Sequence, residues 1–329
     1  MSVSERNPGS YPEDRRRNLD MVEIKNLVKR YGDLVALNHL NLQVQEGEIF
    51  GLLGPNGSGK TTAISCMLAL LKYDRGSIRI FGEEMTPESY HVKEQIGIVL
   101  QNVAVFDELT VYENIDYFCG LYVKEKQRRK ELVEEAIAFA GLEDYRKARP
   151  GKLSGGLLRR LNIACGIAHK PRLLIMDEPT VAVDPQSRNK ILEGIQELNR
   201  QGATIIYTSH YMEEVEQICT RVAILDHGRS IAVGTKEELK MMIKTGETVT
   251  IEAVALGEEH LQAIRELPHV FGVDYGEQIL TVRCTKAKHN LTRILNYLQE
   301  QEILFGRVFS ELPTLNDVFL EITGKQLRD

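Results

Sequence analysis

The chain has 329 residues, of which 43% are hydrophobic and 27% charged, and its formal net charge is −6 at pH 7. This composition is typical of globular proteins, and the length is sufficient for two domains of ordinary size. The excess of acidic residues argues against a nucleic-acid partner, which usually requires a basic surface. No apolar run approaches the roughly 20 residues of a membrane-spanning helix. The five cysteines are scattered singly, which favours reduced, mostly buried thiols in a cytosolic protein.

The N-terminal segment, residues 1–20, is predicted to be a disordered leader, because it combines prolines and glycine with arginines balanced by acids. Structure is predicted to begin at Met21, with a first strand that ends at Tyr31 and a second strand around residues 40–44. The Tyr31 ring could stack on a nucleotide base. In a protein without a nucleotide site, a half-buried tyrosine at a sheet edge would be the simpler interpretation.

The most informative segment fits the pattern G-x-x-x-x-G-K-[ST] of a phosphate-binding P-loop. It reads Gly54-Pro55-Asn56-Gly57-Ser58-Gly59-Lys60-Thr61. A buried strand at residues 48–53 precedes it, and a helix over residues 62–71 is predicted to follow. Glycines let backbone N–H groups curl around a polyphosphate, and the helix N-terminus adds unpaired N–H groups. Lys60 would contact the β- and γ-phosphates, and the Thr61 hydroxyl could ligate Mg²⁺. The alternative is a chance glycine turn.

Two further polar sites follow along the chain. A buried strand at residues 96–100 ends at Gln101, where an α/β sheet binds ligands, so Gln101 could ligate Mg²⁺ or hold the attacking water. It could equally be an ordinary loop glutamine. Residues 105–165 are predicted to form an inserted helical subdomain. Near its end stands a second potential anion site, at the start of another helix. It comprises Ser154, Gly155 and Gly156. A plain N-cap explains the serine, but explains the glycine pair less well.

Two carboxylates end the next buried strand. The all-apolar run at residues 173–176 leads into Asp177 and Glu178, as expected of a strand in a parallel sheet covered on both faces. Asp177 suits Mg²⁺, directly or through water, and Glu178 suits a base that orients and polarises water. A further strand ends at His210, which could contact the γ-phosphate and hold Glu178 and water in line. Considered alone, His210 could be an ordinary hydrogen-bonded histidine.

The C-terminal region has a different pattern. From about residue 245 the elements read β-α-β-β-α-β and a last helix, which predicts a small ferredoxin-like α+β domain over residues 245–329. We see no catalytic cluster in it and expect a regulatory or dimer-bracing role. Deletion of residues 245–329 is predicted to leave nucleotide binding intact and to alter dimerisation or partner coupling.

These motifs occur in the order seen in ATP-binding cassette (ABC) ATPases, which about residues 21–236 resemble. The resemblance implies an ATPase nucleotide-binding domain over residues 21–240. Residues 54–61 resemble the Walker A motif, and residues 173–178 resemble the Walker B motif. Gln101 matches the Q-loop, residues 153–156 match the signature motif and Asp184 matches the D-loop. His210 matches the H-loop, and Tyr31 matches the A-loop. The resemblance implies an α/β P-loop NTPase with a mixed-sheet core, an antiparallel β subdomain and a helical subdomain. Two positions depart from the family pattern: Leu157 stands where Gln is usual, and Ala182 stands where Gly is usual.

The resemblance implies ATP and Mg²⁺ as cofactors and assigns roles to individual residues. ATP would be bound by Tyr31, Gly54, Pro55, Asn56, Gly57, Ser58, Gly59, Lys60, Thr61, Thr62, Ser154, Gly155, Gly156 and Asp184. The catalytic residues would be Lys60, Gln101, Glu178 and His210, and the Mg²⁺ ligands would be Thr61, Gln101 and Asp177. It further implies a head-to-tail homodimer, in which each ATP lies between the P-loop of one copy and Ser154 of a second copy.

The segment at residues 312–320 resembles the C-terminal extension of ABC-2-type export ATPases, including drug-resistance subunits. This resemblance implies an ATPase subunit that powers export of a small molecule or ion through a separate membrane permease. The subunit would be cytoplasmic and peripheral on the inner face of the membrane, without a nucleic-acid partner. One alternative is a soluble ABC ATPase that acts on ribosomes or DNA. Another is a nucleotide-regulated module that does not hydrolyse ATP. The transported substrate and the choice between homodimer and heterodimer stay open.

Overall fold

Residues 20–324, which the computed structural model describes, form three β-sheets with helices packed on and between them. The predicted disordered leader lies outside the described residues except for Asp20, which begins the first strand. No helix within residues 20–324 is long and apolar enough to cross a membrane. All five cysteines are buried and unpaired, as predicted.

The N-terminal part contains an antiparallel sheet and the first strands of a second sheet. Its elements are β1 (Asp20–Tyr31), β2 (Leu34–Gln45), β3 (Ile49–Leu53), α1 (Lys60–Met67), β4 (Arg75–Ile80), β5 (Glu83–Glu84), α2 (Tyr90–Lys93) and β6 (Ile96–Val99). The antiparallel sheet has the strand order β2-β1-β4-β5, and it confirms the predicted antiparallel β subdomain. Helix α1 starts earlier than predicted and ends at Met67, because Ala69 adopts a left-handed backbone conformation that cannot continue the helix (φ 53°).

Three helices follow as a layer beside the sheets. They are α3 (Val111–Gly120), α4 (Lys126–Ala140) and α5 (Gly155–Ile167), with short 3₁₀ helices at Glu143–Tyr145 and Pro150–Lys152. A capping box of Thr110 and Glu113 begins α3. The helices pack through their own apolar cluster, which includes Ile115, Val133 and Leu161.

The second sheet is the central one. Its remaining elements are β7 (Leu173–Asp177), α6 (Pro185–Arg200), β8 (Thr204–Thr208), α7 (Met212–Ile218), β9 (Arg221–Asp226), β10 (Arg229–Thr235) and α8 (Lys236–Met241). The strand order is β10-β9-β3-β8-β7-β6, with one antiparallel pair, β10 with β9, and parallel pairs elsewhere. This confirms the mixed sheet. Strands β3, β7 and β8 are buried at every position. One face of the sheet packs against α1 and the antiparallel sheet, and the other packs against α5, α6 and α7. The carboxyl ends of these strands meet at one edge of the sheet.

The C-terminal part forms the third sheet. Its elements are β11 (Thr245–Ala253), α9 (Glu258–Arg265), β12 (Val270–Gly276), β13 (Ile279–Thr285), α10 (Asn290–Glu300), β14 (Phe305–Glu311) and α11 (Leu315–Thr323). The order β12-β13-β11-β14, antiparallel throughout, is that of a ferredoxin-like fold. Helix α10 begins at Asn290, directly after His289, which has a left-handed backbone (φ 66°).

The last helix packs away from this third sheet. Leu315, Val318 and Phe319 of α11 are fully buried in the same core cluster as Ile49 and Tyr207 of the central sheet. A deletion of residues 245–329 would therefore remove part of the central core as well. The prediction that such a deletion leaves nucleotide binding intact takes no account of this packing.

Candidate functional site

A cleft of about 440 Å³ opens at the carboxyl ends of β3, β6, β7 and β8. The predicted site residues that line it are Tyr31, Asn56, Gly57, Ser58, Gly59, Lys60, Thr61, Thr62, Gln101, Glu178 and His210. The structure thus collects, at one edge of the central sheet, residues that are up to 179 positions apart in the chain. Tyr31 is the last residue of β1, and its side chain is about half exposed beside the cleft.

The glycine-rich loop between β3 and α1 is shaped by two neighbouring segments. A Cβ at Gly59, whose φ is +105°, would lie 2.8 Å from the carbonyl oxygen of Ala36. The N–H of Gly228, in the β9–β10 hairpin, donates to the carbonyl oxygen of Ser58 at 3.0 Å. Only a residue without a Cβ fits at position 59. The glycine there therefore allows the curled backbone that a phosphate-binding loop requires.

Two side chains of this loop are suited to an anion. The Lys60 ammonium is buried and donates to two loop carbonyls, Gly54 at 2.7 Å and Pro55 at 3.3 Å. Burial lowers the pKa of Lys60 below its ordinary value, and the nearby carboxylates oppose this shift. The buried hydroxyl of Ser58 has no hydrogen-bond partner within residues 20–324. A cation and an orphaned hydroxyl at the N-terminus of α1 fit a phosphate group.

The oxygen atoms for a hard cation lie next to the loop. Thr61 Oγ1 donates to Asp177 Oδ2 at 3.3 Å, and Thr208 Oγ1 donates to Asp177 Oδ1 at 2.6 Å. Hydroxyl and carboxylate oxygens are the ligands that Mg²⁺ prefers, together with water and phosphate. The described part of the chain holds no cluster of three or more His, Cys, Asp or Glu suited to a metal. Thr61 and Asp177 thus supply two oxygen ligands of the kind that fits Mg²⁺.

Two of the predicted catalytic side chains, Gln101 and His210, contact a third, Glu178. Glu178 Oε2 accepts from Gln101 Nε2 at 3.0 Å and lies 3.5 Å from His210 Nδ1. The backbone of Glu178 is left-handed (φ 48°), and its N–H donates to the carbonyl and hydroxyl oxygens of Thr208. Such a conformation costs about 1–3 kcal/mol in a non-glycine residue and persists only where surrounding contacts impose it. The carboxylate is thus held at a fixed place beside the loop.

Seven predicted residues do not line the cleft. Gly54, Pro55 and Asp177 adjoin it through Lys60 and Thr61, and the other four lie elsewhere.

Ser154 and Gly155 are exposed at the start of α5, and Ser154 Oγ accepts from the N–H of Leu157 at 3.3 Å. A Cβ on Gly156 would lie 3.2 Å from Asp184 Oδ2. The structure therefore brings the second anion site and Asp184 together. Neither lines the cleft at the glycine-rich loop of the same chain.

The structure shows the surroundings of Leu157 and Ala182, the two departures from the family pattern. Leu157 is partly buried and packs against the apolar cluster of α3, α4 and α5, which gives its side chain a packing role. Ala182 has a left-handed backbone (φ 59°), so a glycine would adopt this conformation with less strain.

Part of the lining was not found from the sequence. Leu34, Val35 and Ala36 line the cleft together with Tyr31, and Val181 and His227 complete it. Short, mostly apolar residues at the start of β2 carry no motif. The only signal for them is their position next to Tyr31.

Comparison with known proteins identifies the family. Residues 37–181 match the family model described as ABC transporter. The chain is 39% identical over 311 residues to the linearmycin resistance ATP-binding protein LnrL of Bacillus subtilis (strain 168), which covers 94% of this chain and 100% of that protein. The chain belongs to the ABC transporter ATP-binding proteins.

Other ABC proteins support this assignment over most of the chain. The daunorubicin resistance ATP-binding protein DrrA3 of Streptomyces coeruleorubidus is 35% identical over 305 residues, 91% of this chain and 95% of that protein. A solved dimeric ATP-binding cassette in a post-hydrolysis state, bound to ADP and Pi, matches with a TM-score of 0.60 and 27% identity over 65% of this chain and 98% of that chain. The cbiO1 protein from Clostridium perfringens matches with a TM-score of 0.63 and 25% identity over 76% of this chain and 96% of that chain. The predicted family, the ABC-type fold and the ATPase class are confirmed.

Proposed function

We propose that this ABC ATPase hydrolyses ATP at a site completed by a second copy of the chain and thereby powers export through a separate membrane permease. One observation carries the proposal. Gln101, Glu178 and His210 converge on the cleft of the Lys60 loop, whereas Ser154 lies exposed outside that cleft. The residues around the Lys60 loop are therefore close together within one chain, and the exposed Ser154 would contact a second copy.

The phosphates would be held by the glycine-rich loop. Its backbone N–H groups and the N-terminus of α1 face the position of an anion, and Lys60 would exchange its bonds to the loop carbonyls for the β- and γ-phosphates. The Tyr31 ring, at the rim of the cleft, would stack on the adenine base.

Hydrolysis would depend on positioning and charge neutralisation more than on covalent chemistry. Thr61, Asp177 and Gln101 would hold Mg²⁺, which neutralises charge on the phosphate groups. Glu178 would accept a hydrogen bond from the attacking water and polarise it. His210, 3.5 Å from the Glu178 carboxylate, would orient that carboxylate and contact the γ-phosphate.

The second copy would bring Ser154, Gly155 and Gly156 to the open side of the phosphates, with Asp184 beside them. The N-terminus of the 13-residue helix α5 provides the dipole and N–H groups that such a contact uses. A solved cassette with the same fold is described as a dimer. Closure of the two copies on each other would then couple hydrolysis to movement of the permease.

The permease would dock on an exposed apolar surface of the helical layer. Phe106, Tyr117, Leu121 and Tyr122 are each more than a third exposed, and the Phe106 and Tyr117 rings pack at 4.9 Å. Contiguous exposed apolar residues mark interaction sites. Two relatives are named for resistance to linearmycin and daunorubicin, which supports export. The chain would lie at the inner face of the membrane through its permease.

Two alternatives are less well supported. The net charge of −6 disfavours a ribosome- or DNA-acting ATPase. The contact between Glu178 and His210 disfavours a module without hydrolysis. Pull-down of the tagged chain from solubilised membranes separates the partners: a co-purifying multi-span protein supports the proposal, and ribosomes or DNA contradict it.

The assignment of the base is tested with Glu178→Gln. This variant should bind ATP, lose nearly all phosphate release and accumulate as an ATP-bound dimer, measured by light scattering after size exclusion with Mg²⁺ and ATP. Lys60→Ala is the control, because it should lose ATP binding and hence the dimer. Robust phosphate release by Glu178→Gln would reject Glu178 as the base.

A further inference from the structure

A buried carboxylate, Glu214 of α7, lies behind the catalytic edge, and none of the roles above uses it. It is 3% exposed. Its Oε2 atom accepts hydrogen bonds from three hydroxyl groups: Thr180 at 2.9 Å, Tyr207 at 2.7 Å and Ser209 at 2.7 Å. Burial, and then the Glu214 carboxylate, raise the pKa of Tyr207 well above its ordinary value, so this phenol keeps its proton and donates.

The three donors belong to the segments that carry the catalytic residues. Thr180 stands two positions after Glu178, and Ser209 directly precedes His210. Tyr207 lies in β8, between the two catalytic segments and the core. A single oxygen atom therefore ties the loop after β7 to the end of β8.

The other oxygen of Glu214 reaches the helix that begins at Asp184. Glu214 Oε1 lies 3.5 Å from Arg188 Nε, and neither atom has a hydrogen-bond partner within the described residues. The N–H of Arg188 donates to the carbonyl oxygen of Asp184 at 2.9 Å, one helical turn earlier. The Arg188 guanidinium also lies 4.4 Å from the centroid of the Tyr211 ring, next to His210. The cluster thus touches the proposed dimer surface as well as the catalytic loops.

We propose that Glu214 is a positioning residue that holds the Glu178 loop, the His210 segment and the start of α6 in one arrangement. Closure of a second copy on Asp184 then acts on Glu178 through Arg188 and Glu214. The inference rests on the proposed function of Glu178 as base. Its physical basis is the cost of breaking this cluster, since each buried donor would be left unpaired in a medium of low dielectric. The left-handed backbone of Glu178 needs such a constraint from outside.

The test compares two isosteric changes with matched controls in the full-length chain. Glu214→Gln keeps the shape of the side chain but places an amide NH₂ against either the hydroxyl donors or Arg188. Thr180→Val removes one hydroxyl at constant volume, whereas Thr180→Ser restores it. Glu213→Gln changes the exposed neighbour of Glu214 in the same helix.

We expect kcat for phosphate release to fall roughly tenfold or more in Glu214→Gln and Thr180→Val, with KM for ATP within about threefold of the wild type. Thr180→Ser and Glu213→Gln should keep wild-type turnover. This split between kcat and KM, and the rescue by serine, distinguish positioning from a general loss of structure. Thermal unfolding confirms that each variant is folded.

Wild-type turnover in a folded Glu214→Gln variant would overturn the inference. If that variant fails to fold, the comparison of Thr180→Val with Thr180→Ser provides the test. Equal turnover of these two variants would also overturn the inference. Glu178→Gln, assayed in parallel, distinguishes failure of the proposed base from failure of the positioning role. If Glu178→Gln retains turnover, the proposed base is wrong; if it loses turnover while Glu214→Gln does not, only the positioning role is wrong.

Discussion

Phe319 provides a quantitative test of the last helix. Its ring is fully buried in the cluster that contains Ile49 and Tyr207 of the central sheet. The Phe319→Ala change removes this ring and leaves a cavity, because a capping box of Thr314 and Asp317 fixes the start of α11 and limits collapse. Phe→Ala changes at buried sites cost about 3–5 kcal/mol. That is a large part of the roughly 5–15 kcal/mol by which a typical domain is stable.

The assay is urea unfolding followed by circular dichroism, since the chain has no tryptophan to report by fluorescence. Binding of a fluorescent ATP analogue is measured at the same urea concentrations. We expect Phe319→Ala to lower the midpoint of the transition in which nucleotide binding is lost. Phe309→Ala, at a ring 52% exposed on β14, is the control and should leave that transition nearly unchanged. Equal effects of the two changes would refute the packing of α11 on the ATPase core.

Three further substitutions test single features of the site. Leu157→Gln should change phosphate release by less than about tenfold, or ~1.4 kcal/mol, because Leu157 packs on the helical layer and does not line the cleft; a larger change would show a direct role in hydrolysis. Ala182→Gly should raise stability by about 1 kcal/mol by relieving a left-handed backbone, seen as a higher thermal midpoint, and no rise would contradict the strain. Tyr31→Ala should weaken ATP binding by about 1–3 kcal/mol in equilibrium titration while Tyr31→Phe binds normally, and equal affinity of both variants would exclude stacking.

Much of the central sheet follows from the sequence because its physical causes are local. A strand buried on both faces is apolar at nearly every position, as at residues 173–176, and the P-loop pattern requires a strand before it and a helix after it. The parallel strands then carry their terminal residues to one edge, which is why Gln101, Glu178 and His210 could be predicted as a group.

The remaining features depend on packing between distant segments. An amphipathic pattern shows that α11 buries one face, but not that it packs on the central core instead of the third sheet. The donors to Glu214 lie at positions 180, 207 and 209, with no spacing that marks them. Backbone conformation is similarly hidden, since nothing in the residue type of Glu178 indicates a positive φ.

The central claim is that two copies share each ATP site, and a mixing experiment tests it most directly. Lys60→Ala removes the phosphate ligand of one half-site, and Ser154→Arg blocks the other with a bulky side chain at an exposed position. Each variant alone should be inactive in phosphate release. In a mixture, the mixed dimers contain one site with both wild-type residues, so activity should return. A mixture that stays as inactive as its components, although mixed dimers form, would contradict the shared site.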